Sequence, residues 1–132
     1  MRFHTRKWVK PEDLNPNETL FGGRLLAWID EEAALYAIIQ LENPRVVTKH
    51  ISEINFMASA KQGDIIELGL DVMKFGKTSL TLKCEARNMM TRETIITIDE
   101  TTMVNVDENG KPKAHGKTTV EFVKNSVQNK KL

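Results

Sequence analysis

Apolar residues follow one period before Pro44 and another after it. From residue 24 to residue 41 they occupy most positions, in a run that is too long for a strand and apolar on most of its faces. Gly22-Gly23 precedes this run and Asn43-Pro44 ends it, as expected at the two ends of a helix. The pattern therefore predicts one long, buried helix.

After Pro44 the period becomes two, which is typical of strands with one buried face. Apolar and polar residues alternate over residues 66–72, 78–86 and 94–106. Residues 46–57 are rich in β-branched side chains but alternate poorly, so they predict a fourth strand that contains a bulge. The connections are short enough to join antiparallel neighbours.

A short strand over residues 3–9 and a loop over residues 11–19, rich in proline and asparagine, precede the helix. The predicted fold is α+β, with one long central helix wrapped by an antiparallel five-stranded sheet. A helix is roughly 10 Å across and five strands are roughly 24 Å wide, so the helix covers under half of the sheet. We expect the sheet to curl around the helix, and a dimer that joins two such sheets to cover the apolar surface that remains.

Composition and charge narrow the possible classes of protein. A chain of 132 residues fits one domain. Its 19 basic and 18 acidic residues and its aromatic content of 6% argue against a nucleic-acid-binding module. The single cysteine, Cys84, excludes an intramolecular disulfide and a Cys-rich zinc site. The three scattered histidines lack the spacing of metal ligands, so no metal site is expected.

The sequence contains no run of about eighteen apolar residues and no signal-peptide pattern, so we expect a soluble, cytoplasmic protein without a membrane span. Residues 109–132 contain six lysines and one glutamate. We expect one domain over residues 1–123, with a short helix after the last strand, and a basic tail over residues 124–132.

Asp30 is the most unusual residue of the predicted helix. Leucine and alanine stand three and four residues from it, and a carboxylate among such side chains is costly unless a partner stabilises it. Asp30 is therefore either a hydrogen-bonded residue at a subunit seam or a reactive group. Glu31 and Glu32 are expected to face solvent or a rim.

Three other segments contain residues suited to an anion or a carbonyl group. Gly22-Gly23 would open the N–H groups of a helix N-terminus to an oxyanion, or would simply allow close packing there. Asn15, in the loop before the helix, either orients a water molecule or a carbonyl group, or forms a turn. Gly76-Lys77-Thr78-Ser79 either holds a phosphate or forms an ordinary hairpin turn.

These motifs form one ordered series along the chain. In sequence order they are Asn15, Phe21-Gly22-Gly23, Asp30-Glu31, Val46-Val47-Thr48, Ile54-Asn55-Phe56, Gly63-Asp64 and Gly76-Lys77-Thr78-Ser79. The series resembles the hotdog-fold acyl-CoA thioesterases, in the branch of short, broad-specificity bacterial enzymes and cytosolic acyl-CoA hydrolases. The resemblance covers about residues 5 to 106, which is most of the chain.

The resemblance implies a hotdog fold and the hydrolysis of an acyl-CoA thioester to a free carboxylic acid and CoA. It implies that Asp30 is the catalytic carboxylate and that Asn15 works with it across a dimer. It also implies that the Gly23 N–H polarises the thioester carbonyl, with Gly22 beside it. The segment from Lys77 to Ser79 matches one that lies near the CoA nucleotide.

Several alternatives remain open at this point. Asp30 would act either as a general base toward water or as a nucleophile that forms a mixed anhydride. The resemblance implies no cofactor beyond the CoA of the substrate, and a homodimer that stands alone or assembles into a trimer of dimers. A hydratase of acyl thioesters is disfavoured because no histidine lies between Asn15 and Asp30. A non-catalytic acyl-CoA sensor is disfavoured because both of these residues are present.

Overall fold

Six strands and one α-helix form the framework of residues 1–121, the part of the chain that this computed structural model describes. In chain order they are β1 (Arg2–Trp8), α1 (Gly22–Leu41), β2 (Val46–Ile51), β3 (Ile54–Phe56), β4 (Ile65–Phe75), β5 (Ser79–Asn88) and β6 (Thr94–Asn105). A 3-10 turn at Pro11–Asp13 lies between β1 and α1. The predicted helix and strands are all present, within a few residues of their predicted ends, so the α+β class is confirmed.

All six strands belong to one antiparallel sheet in the order β1-β4-β5-β6-β2, and β3 also pairs with β6. The predicted fourth strand is thus divided into β2 and β3, because the chain leaves the regular ladder at Ser52. The Ser52 N–H donates to Glu100 O at 2.8 Å, and Ser52 Oγ accepts the Glu100 N–H at 3.0 Å. A bulge between Thr48 and His50 adds a second irregularity. These two features account for the poor alternation of residues 46–57.

Helix α1 packs on the face of the sheet where the predicted apolar positions of β4 and β5 point, together with Ile96 and Ile98 of β6. Beyond Ile98 the predicted face of β6 is wrong, because an irregularity in its pairing with β5 places Thr101 and Met103 on the core side. The largest fully buried side chains include Leu25, Ile66, Leu68, Leu80, Leu82, Ile96, Ile98 and Met103. Burying one such side chain is worth about 1.5–3 kcal/mol, so this layer is the main source of stability. None of the helices within residues 1–121 has the length and hydropathy that a membrane span requires.

The expectation that Glu32 faces solvent or a rim is wrong. It is only 8% exposed and accepts a hydrogen bond from Thr5 Oγ1 of β1. Because α1 is apolar on most faces, its sequence does not show which stripe faces the sheet. The structure shows that the stripe through Leu25 and Ile29 does, and Glu32 lies on that stripe.

The prediction of a short helix after the last strand is also wrong within residues 107–121, which contain no helix. Val106 forms an isolated bridge with Pro112, and the Lys113 N–H donates to Asn105 O at 2.8 Å. Pro112 lacks an N–H and Gly116 has a φ of 71°, so a regular helix does not form here. The predicted boundary after residue 123 and the basic tail over residues 124–132 lie outside the described residues.

Candidate active site

Asp30 lies on the side of α1 next to β2. Its Oδ1 accepts a hydrogen bond from Thr48 Oγ1 at 2.6 Å. The side chain is exposed in the single chain rather than buried as the sequence suggested. The reason is the phase of the helix: the sheet-facing stripe runs through Ile29 and Ala33 and turns Asp30 toward the edge of the sheet. The site therefore contains a carboxylate with one oxygen fixed by a hydroxyl group.

Thr48 is a site residue whose role the sequence did not reveal. In β2 it pairs with Met103 of β6, and its hydroxyl also lies 3.6 Å from Met103 Sδ. Within a β-branched run, a threonine after two valines is indistinguishable from an ordinary strand residue. Only its position in the chain could have indicated this role, because β2 is the first strand after α1 and returns along the side of the helix that carries Asp30.

The strand that carries Thr48 ends the sheet on one side. Along β2, Val47 is 48% exposed and Ile51 is 38% exposed. At the end of β3, Phe56 and Met57 are also exposed. An edge strand with apolar side chains and open backbone groups favours pairing with another chain. Asp30 and Thr48 therefore lie beside a surface that a single chain leaves uncovered.

Gly22 and Gly23 are the first two residues of α1, where N–H groups have no earlier helix carbonyl to bind. The Arg24 N–H donates to Phe21 O at 3.0 Å. A Cβ on Gly22 would lie 3.1 Å from the ring of Phe56, and one on Gly23 would lie 3.1 Å from the ring of Phe21. The glycines thus permit close aromatic packing and also present N–H donors at the positive end of the helix.

An open groove of about 270 Å³ begins at this helix N-terminus. Gly23, Phe21 and Leu14 contribute to its lining. Arg24, also in the lining, forms an ion pair with the buried Asp13, with Arg24 Nε 3.3 Å from Asp13 Oδ1. This ion pair fixes the loop before α1 to the start of the helix.

Asn15 stabilises that same loop through its side chain. Its Oδ1 accepts the N–H groups of Asn17 and Thr19 at 2.9 and 3.2 Å, and its Nδ2 donates to Thr19 Oγ1 at 3.0 Å. The turn-forming interpretation of Asn15 therefore holds within one chain. Within residues 1–121 of a single chain, the side chain of Asn15 bonds to its own loop and that of Asp30 bonds to Thr48, with no hydrogen bond between the two.

Residues 76–79 form a tight β4–β5 turn, closed by a hydrogen bond from the Gly76 N–H to Ser79 O at 2.9 Å. A Cβ on Gly76 would overlap Ser79 Oγ, so another residue here would require the Ser79 side chain to rotate away. Lys77 is exposed, while Thr78 and Ser79 are half-buried. The turn therefore presents one cation and two hydroxyl-bearing residues.

The β4–β5 turn and Asp30 are close to the same end of the sheet. Ser79 pairs with Val104 of β6, and Val104 pairs with Val47 of β2, the residue before Thr48. Two strand spacings amount to about 10 Å, which is the lateral separation of the turn from the strand that fixes Asp30. A single long ligand could contact both.

Within residues 1–121, neither Cys84 nor a cluster of metal ligands supplies a second site. Burial raises the pKa of the Cys84 thiol to about 11, and the negative charges of Asp30 and Glu32 act in the same direction. A neutral, buried thiol is a poor nucleophile. No group of three potential ligands among His, Cys, Asp and Glu occurs within the described residues.

Comparison with known sequences relates the chain to a family of hydrolases. The sequence model of the thioesterase superfamily matches residues 17–95. The chain is 32% identical over 75 residues to an uncharacterized acyl-CoA thioester hydrolase of Buchnera aphidicola, a match that covers 57% of this chain and 55% of the relative. The chain thus spans little more than half the length of this curated relative.

Solved structures agree with the sequence match. A hexameric hotdog fold thioesterase of Campylobacter jejuni has a TM-score of 0.72 and 27% identity, with 85% of this chain and 88% of that chain covered. An acyl-CoA hydrolase of Staphylococcus aureus, solved with butyryl coenzyme A, coenzyme A and coenzyme A disulfide, has a TM-score of 0.74 and 32% identity, with coverages of 83% and 66%. Since the superfamily model spans more than half of the sequence and the fold agrees, this chain is a hotdog-fold member of the thioesterase superfamily.

Proposed function

We propose that this protein is an acyl-CoA thioesterase, which hydrolyses an acyl-CoA thioester to a carboxylic acid and CoA. The observation that carries the proposal is the carboxylate of Asp30, fixed by Thr48 Oγ1 beside the open edge of the sheet. The Staphylococcus aureus hydrolase, solved with butyryl coenzyme A and coenzyme A, supports CoA thioesters as the substrate class.

Asp30 has two chemical routes to the same products. As a general base, its carboxylate takes a proton from water while the water oxygen attacks the thioester carbonyl. As a nucleophile, it attacks the carbonyl itself, releases the CoA thiolate and leaves a mixed anhydride that water then hydrolyses. Either route uses one carboxylate oxygen, and the bond from Thr48 to Oδ1 holds the carboxylate in place for the other.

The Gly23 N–H is assigned as the oxyanion donor, from a second copy of the chain rather than from the copy that supplies the carboxylate. Gly23 and Asp30 are seven residues apart on α1, which is about 10 Å along the helix axis. An oxyanion donor must lie about 3 Å from the carbonyl oxygen, and the base must lie close to the attacking water. This spacing and the resemblance support a site in which Asp30 of one copy acts with Gly23 and Asn15 of a second copy.

The oligomer in this proposal is a homodimer joined along the β2 edge. Joining two sheets there would cover the exposed apolar side chains of Val47, Ile51, Phe56 and Met57. It would also complete two equivalent sites, since a twofold interface repeats every contact. Three such dimers would form a hexamer, the state named for the Campylobacter jejuni thioesterase.

The CoA end of the substrate is assigned to the β4–β5 turn. Lys77 would pair with a phosphate, and the hydroxyls of Thr78 and Ser79 would donate to phosphate oxygens. Gly76 keeps this turn tight, and Gly22 lets the helix entrance pack closely. The reaction as written needs no cofactor, because CoA is part of the substrate and the product.

The test is hydrolysis of a panel of acyl-CoAs from acetyl-CoA to palmitoyl-CoA. A thioesterase releases CoA thiol and carboxylic acid in equal amounts, so both are measured, the first with a thiol reagent and the second by chromatography. A sensor would bind acyl-CoA without releasing either product. A hydratase would change the acyl chain and leave the thioester intact. Either of these last two results would replace the proposed activity.

A further inference from the structure

The β4–β5 turn is held by the last residue of β6 and by the chain that follows β6, and the mechanism above gives that segment no role. The Asn105 N–H donates to Thr78 O at 2.8 Å, and the His115 N–H donates to Lys77 O at 3.2 Å. The His115 ring approaches the third carbonyl, with Nε2 2.9 Å from Ser79 O. Three consecutive carbonyl groups of the turn therefore accept hydrogen bonds from Asn105 or His115, two of them from His115.

The hydrogen bonds of the His115 ring define its protonation. The Lys117 N–H donates to Nδ1 at 2.9 Å, so Nδ1 carries no proton. Ser79 O can only accept, so Nε2 carries the proton. His115 is thus a neutral imidazole that bridges the turn and its own segment. Its ring also lies edge-on to Phe75, with the ring centroids 6.1 Å apart.

The segment that carries His115 is fixed on both sides of it. Asn105 Nδ2 donates to Lys113 O at 2.8 Å, while the Lys113 N–H donates to Asn105 O. Farther along, the buried side chain of Gln40 accepts the Glu121 N–H at 3.0 Å and donates to Glu121 O at 3.2 Å. The segment that contains His115 is therefore anchored by hydrogen bonds to β6 on one side and to α1 on the other.

The geometry points to His115 as a positioning residue for the CoA end of the substrate. A carbonyl oxygen that faced a phosphate would repel it, and the bonds from His115 and Asn105 draw the carbonyls of the turn toward the protein. The exposed side chain of Lys77 is then presented from a turn of fixed shape. This inference rests on the proposed function, and it adds a residue far along the chain from every motif of the site.

The test compares two substrates that differ only in the nucleotide. His115→Phe keeps a ring against Phe75 but removes both side-chain hydrogen bonds. His115→Gln retains an amide that can donate to Ser79 O. His4→Phe is the matched control, because His4 contacts Tyr36 instead of the turn, at 5.5 Å between ring centroids. Each protein is assayed with an acyl-CoA and with the corresponding acyl-pantetheine, and the Kd of CoA is measured by calorimetry.

For His115→Phe we expect the KM for acyl-CoA and the Kd of CoA to rise about three- to tenfold, as the loss of one or two neutral hydrogen bonds implies. The kcat and the KM for acyl-pantetheine should stay at the wild-type values. His115→Gln should recover most of the loss, and His4→Phe should match the wild type. A residue that acted only through stability would instead change the kinetics of both substrates alike.

Equal KM changes for the two substrates, a loss confined to kcat, or an unchanged Kd of CoA would overturn the role of His115. Wild-type protein that binds CoA but hydrolyses no acyl-CoA would overturn the proposed function instead, and the Kd of CoA in the variants would still decide the role of His115. If His115→Phe does not fold, His115→Asn replaces it, because asparagine keeps an acceptor for the Lys117 N–H but is too short to reach Ser79 O.

Discussion

Replacing Thr48 by valine removes the hydroxyl that fixes Asp30 while it keeps the β-branched shape of the side chain in β2. The bond from Thr48 Oγ1 to Asp30 Oδ1 is 2.6 Å long and has a carboxylate as its acceptor. A hydrogen bond to a charged group contributes about 1.5–3 kcal/mol. If this bond orients the carboxylate in the transition state, Thr48→Val should lower kcat about ten- to a hundredfold.

The stability of the protein should respond far less. Thr48 and Asp30 are both exposed in the single chain. Their hydrogen bond is open to water, which can replace it when the hydroxyl is lost, so the free energy of unfolding should change by less than about 1 kcal/mol. We therefore expect Thr48→Val to melt close to the wild-type temperature and to keep its oligomeric state. The assay is kcat and KM from CoA release, measured beside calorimetry and light scattering on the same preparation.

Thr48→Ser is the matched control, because serine keeps the hydroxyl and loses only a methyl group. It should retain activity within about threefold of the wild type if the hydrogen bond is what matters. Equal losses in Thr48→Ser and Thr48→Val would show that packing against Met103 is responsible instead. Wild-type activity in Thr48→Val would refute the positioning role altogether.

Three further predictions concern Lys77, Cys84 and Glu32. Lys77→Ala should raise the KM for acyl-CoA about three- to tenfold with kcat unchanged. Added salt should raise the KM of the wild-type protein in the same way, because it screens the charge of Lys77. A lower kcat at constant KM would contradict the phosphate contact. Cys84 should react with a thiol reagent only after unfolding. Its pKa of about 11 leaves about one thiolate in a thousand at pH 8. Rapid labelling of the native protein would contradict its burial. Glu32→Ala should lower the free energy of unfolding by about 1–3 kcal/mol, since it leaves the Thr5 hydroxyl without its acceptor, whereas Glu32→Gln should cost much less in chemical denaturation.

The order of the elements could be predicted because alternation and helix length are local properties of the sequence. The divided strand at β2 and β3 was visible only as poor alternation. The phase of α1 was not predictable, because apolar residues cover most faces of the helix. That ambiguity reversed the expected environments of Asp30 and Glu32: the first is exposed beside the sheet edge, and the second is buried against Thr5.

The candidate site was predictable where its residues form a linear motif and not where tertiary contacts create it. Asp30 and the glycines at the helix entrance stood out by residue type and spacing. Thr48 and His115 did not, because a threonine in a strand and a histidine after the last strand are ordinary until their partners are known. Gln40 illustrates the same limit, since its role is to bind a backbone segment some eighty residues away.

Asp30→Asn tests the central claim most directly. Asparagine has nearly the same shape and can still accept the Thr48 hydroxyl, but it cannot take a proton from water or attack a thioester. We expect kcat to fall at least a hundredfold, and by as much as about ten-thousandfold, while the melting temperature and oligomeric state stay at wild-type values. An Asp30→Asn protein that hydrolyses acyl-CoA at near the wild-type rate would contradict the mechanism, as would one that loses its fold but keeps its activity per folded molecule.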